Sequence, residues 1–102
     1  MKSVEPAELA KALGGAEAPF LLDVREPAEM IDGRIAGSIN IPMGEVEQRL
    51  GEIPTDRDVV VICHLGARSA YVTRALNARG YSRAMNLRGG MEAWLDEGRH
   101  GA

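Results

Sequence analysis

Apolar runs alternate with amphipathic segments along the whole chain. The strongest run, residues 59–63, reads VVVIC and is apolar throughout and mostly β-branched. A continuous apolar run, rather than an alternating one, is typical of a strand buried on both faces at the centre of a parallel sheet. Shorter apolar runs predict further strands at residues 20–24, 39–41 and 82–87.

Helical segments are predicted between these strands from apolar residues at helical spacing and from Pro and Gly at segment ends. They cover residues 3–15, 26–33, 44–53, 68–81 and 89–98. Ser3 or Glu5 can begin the first of them, and Trp94 in the last is expected to pack on the sheet. Strands alternating with helices predict one α/β domain over residues 1–102, with helices on both sides of a mainly parallel sheet.

Composition and charge exclude several classes of protein. The chain of 102 residues has a net charge of −3, and its charged residues are interspersed, which argues against a nucleic-acid partner. No apolar run reaches the roughly 18 residues of a membrane span. The start, MKSVEPAELAKAL, lacks the apolar core of a secretory signal, so we expect a cytoplasmic protein without a membrane partner.

The chain contains one cysteine, Cys63, and two histidines, His64 and His100. A single cysteine excludes an internal disulfide, and this set of residues makes a zinc site improbable. We therefore expect a reduced thiol, no metal and no cofactor.

Cys63 is the candidate reactive residue. It ends the central strand, and in open α/β sheets the functional crevice lies at the carboxyl ends of strands. Gly66 allows the next loop to curl so that backbone N–H groups converge on one spot, and the following helix adds its positive end. Together with Arg68, these features favour a nucleophilic thiolate over the alternative that Cys63 is a small core residue. His64 is predicted at the rim of the loop.

Three motifs, in order, resemble those of single-domain rhodaneses, a family of sulfurtransferases. They are LLDVREPAEMIDGRIAGSINIP, which contains the family's acidic turn, VVVICHLGARS, which contains its C-x-x-G-x-R-S loop, and YSRAMNLRGGMEAW. The chain departs from the family at Arg34, Ala36 and Ser38, where histidine, proline and alanine are usual. These positions lie outside the loop, so they bear on local packing more than on catalysis.

The resemblance implies a mainly parallel five-stranded sheet and a two-step sulfur transfer. In this scheme the Cys63 thiolate takes the outer sulfur of a donor such as thiosulfate, and cyanide or a thiol then removes it from the Cys63 persulfide. Arg68 is expected to orient the anionic donor, and Asp23 and Arg25 are expected to support the loop. The residues implied in substrate binding are His64, Leu65, Gly66, Ala67, Arg68 and Ser69.

Two alternatives remain open at this stage. A cysteine phosphatase or arsenate reductase uses five residues between its cysteine and arginine, whereas this chain has four, which favours sulfur over a tetrahedral oxyanion. A persulfide carrier loaded by a partner enzyme has the same sequence features as a thiosulfate-using enzyme. A protein sulfur donor or acceptor is therefore a candidate partner beside the small molecules.

Overall fold

A single five-stranded parallel sheet forms the centre of the computed structural model, which describes residues 1–99. The strands are β1 (Lys2–Val4), β2 (Phe20–Asp23), β3 (Ile39–Asn40), β4 (Val59–Ile62) and β5 (Ala84–Leu87). Their order across the sheet is β1-β5-β4-β2-β3, and every neighbouring pair is parallel. The predicted fold class is confirmed.

Within residues 1–99, three α-helices and three short 3-10 segments accompany the strands; the last helix follows β5. The helices are α1 (Pro6–Leu13), α2 (Ala67–Ala78) and α3 (Gly90–Asp96), and the 3-10 segments are Pro27–Asp32, Met43–Glu45 and Glu47–Glu52. The amphipathic helix predicted over 44–53 is therefore two 3-10 segments. Non-helical torsions at Arg49 (φ −121°, ψ 23°) interrupt the helical hydrogen bonding there.

Of the two predicted starts of the N-terminal helix, Glu5 is confirmed as the N-cap and Ser3 is wrong. Ser3 is part of β1, and the helix begins only after Glu5, whose backbone N–H and side chain form a reciprocal capping box with Glu8. β1 has three residues, too few to show a strand pattern, and it is held by parallel pairing with β5. Edge strands of this length depend on their partner rather than on their own sequence.

The two faces of the sheet carry separate apolar layers. Leu9 of α1 and Met91 and Trp94 of α3 pack on one face, and Val72 and Leu76 of α2 pack on the other. All four residues of β4 are buried, because their side chains enter these two layers alternately. The expected packing of Trp94 on the sheet is confirmed.

The neighbouring strands β4 and β2 continue in opposite directions across the sheet. From β4 the chain passes through α2 to β5, whereas from β2 it passes to β3 on the other side. Diverging connections leave a crevice at the carboxyl ends of the two strands, where ligands bind in open α/β sheets. The residues that follow β4 and β2 begin at Cys63 and Val24, and they lie at this crevice.

The three departures from the family pattern lie between the first 3-10 segment and β3. The Arg34 guanidinium donates to the carbonyl oxygen of Ser38, whereas Ala36 is exposed. The Ser38 side chain is buried, and its hydroxyl has no hydrogen-bond partner among residues 1–99. No hydrogen bond within residues 1–99 joins these three positions to the Cys63 loop.

Candidate active site

Cys63 is the first residue after β4, and only 1% of its surface is exposed. The chain turns sharply after it and enters α2 at Ala67. Gly66 makes this turn with a φ of 110°, a left-handed conformation that favours glycine. A Cβ at Gly66 would also lie 3.3 Å from the backbone nitrogen of Gly89, so the turn has little room for a side chain.

Three polar groups surround the Cys63 sulfur. The backbone N–H groups of Gly66 and Ser69 donate to Sγ at 3.0 and 3.3 Å, and the Ser69 hydroxyl lies 3.2 Å from it. Ser69 belongs to the first turn of α2, so the positive end of that helix also faces the sulfur. The two N–H groups, and the hydroxyl when it donates to sulfur, favour a negative charge there, which makes the loop suited to hold a thiolate or a persulfide anion.

Helix α3 supports the loop from behind. Its Met91 N–H donates to the carbonyl oxygen of Cys63 at 2.8 Å, and its Glu92 N–H donates to that of His64 at 3.0 Å. The approach is possible because Gly90 has no side chain: a Cβ there would lie 2.5 Å from both carbonyl oxygens. This contact was not predicted from the sequence, although the Gly89–Gly90 pair is a signal of it.

Arg68 forms a bidentate ion pair with Glu29. Its Nη1 and Nη2 atoms donate to Oε2 and Oε1 at 2.8 and 2.7 Å, and about a third of each side chain is exposed. The Arg68 hydrogen bond lowers the pKa of Glu29 to about 2, and the Glu29 hydrogen bond raises the pKa of Arg68. Glu29 is the residue of the site that sequence reasoning missed, because 39 positions separate it from Arg68.

Asp23 and Arg25 form a buried ion pair at the end of β2. Arg25 donates through Nε and Nη2 to the Asp23 carboxylate at 2.8–3.2 Å, and both side chains are almost fully enclosed. Arg25 also donates through Nη1 to the carbonyl oxygen of Glu29 at 3.2 Å. Within residues 1–99, no hydrogen bond joins these two side chains to the Cys63 loop. Arg25 instead holds the backbone of Glu29, the residue that pairs with Arg68.

The remaining loop residues form the mouth of the site. His64 and Ala67 are exposed, and the Leu65 side chain is 58% exposed, so His64 lies at the rim. Together with Cys63 and Arg68 they line a small cavity of about 130 Å³. A larger groove of about 600 Å³ continues from Ala67 and Arg68 along α2; its apolar lining includes Met43, Val46, Tyr71 and Val72.

Residues 1–99 contain neither a group of metal-binding side chains nor a helix suited to cross a membrane. Within residues 1–99, no three His, Cys, Asp or Glu side chains are grouped closely enough to hold a metal ion. His100, the second histidine considered as a ligand, lies outside the described residues. None of the helices in this part of the chain has the length and apolar character to cross a bilayer.

The fold and the loop together define an α/β protein with a cysteine at the carboxyl edge of a parallel sheet, held by backbone N–H groups. The sequence pattern of the Rhodanese-like domain matches residues 5–97. The chain therefore belongs to the rhodanese-like family, and the resemblance noted in the sequence is confirmed.

Individual relatives agree with this assignment. A "Sulfurtransferase" of Allochromatium vinosum is 41% identical over 99% of this chain and 92% of its own length. The human "Thiosulfate:glutathione sulfurtransferase" is 31% identical over 76% of this chain and 79% of its own length. The crystal structure of a rhodanese-related protein from Thermoplasma volcanium superposes with a TM-score of 0.89 at 36% identity, covering 97% of this chain and 95% of that one. The family and these relatives support a role in sulfur transfer for the chain.

Proposed function

We propose that this protein is a thiosulfate sulfurtransferase that works through a persulfide on Cys63. The observation that carries the proposal is the pair of backbone N–H groups that donate to Sγ and favour an anionic sulfur, with the Ser69 hydroxyl 3.2 Å from Sγ as a further available donor. The name of the human relative, which pairs thiosulfate with glutathione, supports this class of donor and acceptor.

In the first step the Cys63 thiolate attacks the outer sulfur of thiosulfate. The new S–S bond takes its electrons from the thiolate, and the breaking S–S bond leaves its electrons on sulfite. The persulfide that remains on Cys63 carries one negative charge on its outer sulfur. We assign that sulfur to the cavity of about 130 Å³ at the mouth of the loop. This volume exceeds the roughly 30 Å³ that one water molecule occupies in the liquid.

The loop has further donors for the outer sulfur. Within residues 1–99, the backbone N–H groups of Leu65, Ala67 and Arg68 donate to no acceptor. The last two belong to the first turn of α2, where N–H groups lack partners within the helix. We assign these groups, with those of Gly66 and Ser69, to the cradle that receives the persulfide.

In the second step an acceptor thiolate or cyanide attacks the outer sulfur. The S–S bond breaks with its electrons returning to Cys63, and a new persulfide or thiocyanate leaves. A protein acceptor can approach in the same way, because the mouth is open between His64, Leu65 and Arg68.

We assign Arg68 the role of orienting the anionic donor. Its ion pair with Glu29, which the sequence did not predict, limits how it can do so. Glu29 compensates its charge, since both terminal nitrogens of Arg68 donate to that carboxylate. A donor anion therefore competes with Glu29 for the guanidinium, while the loop N–H groups remain free to bind it. Asp23 and Arg25 support the site through the backbone of Glu29.

The test is an intact mass measurement after incubation with thiosulfate and removal of the excess, with Cys63→Ser as the matched control. One added sulfur on the wild type, absent from the variant and released as thiocyanate by cyanide, is the expected result. If wild type gains no sulfur from thiosulfate but gains it from a cysteine-persulfide enzyme, the protein is a carrier. If neither loads it, hydrolysis of phosphate esters and reduction of arsenate are the assays for the oxyanion alternative.

A further inference from the structure

Asn86 is a buried amide on an otherwise apolar face of the sheet. It lies in β5 between Met85 and Leu87, which face α1 and α3, so its own side chain points to α2 as that of Ala84 does. Its Oδ1 atom lies 2.5 Å from the Ser69 hydroxyl, and this is the only hydrogen bond of that side chain within residues 1–99. A buried amide in an apolar layer is costly unless it has such a partner.

The Ser69 hydroxyl has more acceptors around it than it can serve. Its oxygen lies 2.5 Å from Asn86 Oδ1, 3.2 Å from the Gly66 carbonyl oxygen and 3.2 Å from Cys63 Sγ. A hydroxyl has one proton to donate, although it can accept two further hydrogen bonds. Whether the sulfur receives that proton therefore depends on what Asn86 presents to Ser69.

Two arrangements keep both the Cys63–Ser69 and the Ser69–Asn86 hydrogen bonds. When Cys63 is a thiol, its S–H donates to Ser69 Oγ, and the Ser69 hydroxyl donates to Asn86 Oδ1. When Cys63 is a thiolate, the sulfur can only accept, so the Ser69 hydroxyl turns to it. Asn86 then keeps its bond only by turning its amide, so that Nδ2 donates to Ser69 Oγ. The thiol proton goes to solvent, and no other proton leaves its atom.

We propose that Asn86 is a positioning residue whose amide, by turning between accepting and donating, directs the Ser69 hydroxyl toward the Cys63 sulfur. Asparagine suits this place because its side chain offers both a donor and an acceptor on the same short stem. Aspartate has nearly the same shape but only accepts, so it would hold the Ser69 proton away from the sulfur.

This inference rests on the proposed function in one respect: the direction of the Ser69 hydroxyl matters for turnover only if Cys63 is the reacting group. Its test therefore measures the reactivity of the thiolate rather than sulfur transfer. Alkylation of Cys63 by iodoacetamide needs neither a sulfur donor nor an acceptor. A failure of the proposed function and a failure of this inference are thus seen in different experiments.

We expect Asn86→Asp to slow alkylation at pH 7 at least tenfold, because aspartate holds the Ser69 proton. Asn86→Leu should slow it by clearly less, because leucine can neither take that proton nor donate to the hydroxyl. The added carboxylate also repels the thiolate directly, so the same change is made in Ser69→Ala. In that background the carboxylate charge is present but the hydroxyl is absent. We expect the alkylation rate to be at most threefold lower than that of Ser69→Ala alone. Three results would each overturn the proposal: that Asn86→Asp slows alkylation equally in wild type and in Ser69→Ala, that it slows it no more than Asn86→Leu does, or that it does not slow it at all.

Circular dichroism and thermal unfolding show whether each variant is folded before its rate is used. If Asn86→Asp does not fold, the wild-type protein provides the second test. The side-chain amide resonances of Asn86, followed by ¹⁵N NMR over a pH titration, should shift together with the rise in the alkylation rate of Cys63. The same resonances in Cys63→Ser should stay constant over that range. An Asn86 amide that does not respond to ionisation of Cys63 would refute the inference.

Discussion

The backbone N–H of Met91 donates a 2.8 Å hydrogen bond to the carbonyl oxygen of Cys63, although Met91 belongs to α3 and Cys63 follows β4. Two helices thus hold one loop: Ser69 of α2 donates its N–H to the sulfur, and α3 donates N–H groups to the carbonyl groups behind it. The close approach of α3 depends on Gly90, which leads to the first prediction.

Gly90→Ala should damage both the fold and the site. The new Cβ would lie 2.5 Å from the carbonyl oxygens of Cys63 and His64, on a residue with a φ of 60°. Overpacking and left-handed torsions each cost about 1–3 kcal/mol, so we expect a loss of roughly 2–5 kcal/mol in the free energy of unfolding. Urea unfolding measures it, and the alkylation rate of Cys63 should fall as well. Gly51→Ala is the matched control, because nothing lies within 4 Å of a Cβ there; equal losses in the two variants would contradict the prediction.

Arg68→Ala and Glu29→Gln should change the KM for thiosulfate in opposite directions. Removing Arg68 removes the cation proposed to orient the donor, so the KM should rise about tenfold, as for the loss of one charged hydrogen bond. Glutamine at position 29 neither accepts as strongly nor carries charge, so Arg68 is freed and the KM should fall several-fold. Steady-state kinetics with cyanide as acceptor measures both. A KM that is unchanged in Arg68→Ala would show that Arg68 only holds the loop.

The ion pair between Glu29 and Arg68 should also make stability depend on pH in the acid range. The pKa of Glu29 is lowered in the folded protein from 4.5 to about 2 by its hydrogen bond with Arg68. A lowered pKa means that the carboxylate stabilises the fold above pH 4.5 and that this stabilisation is lost as the pH falls toward 2. The unfolding free energies of wild type and Glu29→Gln should therefore converge between pH 5 and pH 2. A difference that stays constant over this range would show that Glu29 contributes by packing rather than charge.

Ser38→Ala should stabilise the protein. The Ser38 hydroxyl is buried without a partner among residues 1–99, and an unsatisfied buried polar group costs about 1–3 kcal/mol. We expect a gain of about 1 kcal/mol in thermal or urea unfolding, with sulfur transfer unchanged. Thr73→Val is the matched comparison, because its buried hydroxyl donates a 2.7 Å hydrogen bond to the Ser69 carbonyl. That variant should lose about 1 kcal/mol, and a loss in both would show that the Ser38 hydroxyl has a partner in solution.

Discharge of the persulfide should depend wholly on an external acceptor. Cys63 is the only cysteine in the sequence, so no second thiol of the chain can attack the persulfide. Protein loaded with one sulfur should keep it in acceptor-free buffer and release it at the turnover rate when glutathione or cyanide is added. Intact mass against time measures both. Spontaneous discharge as fast as turnover would contradict the proposed route.

The sequence predicted the parts of the fold that carry a strong local pattern. The apolar run of β4 and the Gly66 turn after it identified the sheet centre and the cysteine loop, because both depend on neighbours in the chain. β1 was missed, since its three residues form a strand only through pairing with β5. The roles of Glu29 and Asn86 were missed for a similar reason: their partners, Arg68 and Ser69, are far away in sequence, and no local pattern marks such pairs.

The support of the cysteine loop by α3 has a consequence for the newly synthesised chain. Strand β4 and its cysteine leave the ribosome before Met91 and Glu92, whose N–H groups hold the carbonyl groups of the loop. Until then the carbonyl groups of Cys63 and His64 lack these donors, and the Ser69 hydroxyl lacks its hydrogen bond with Asn86. The hydrogen bonds that support the proposed role of Cys63 are therefore complete only after residues up to Glu92 have been made and folded.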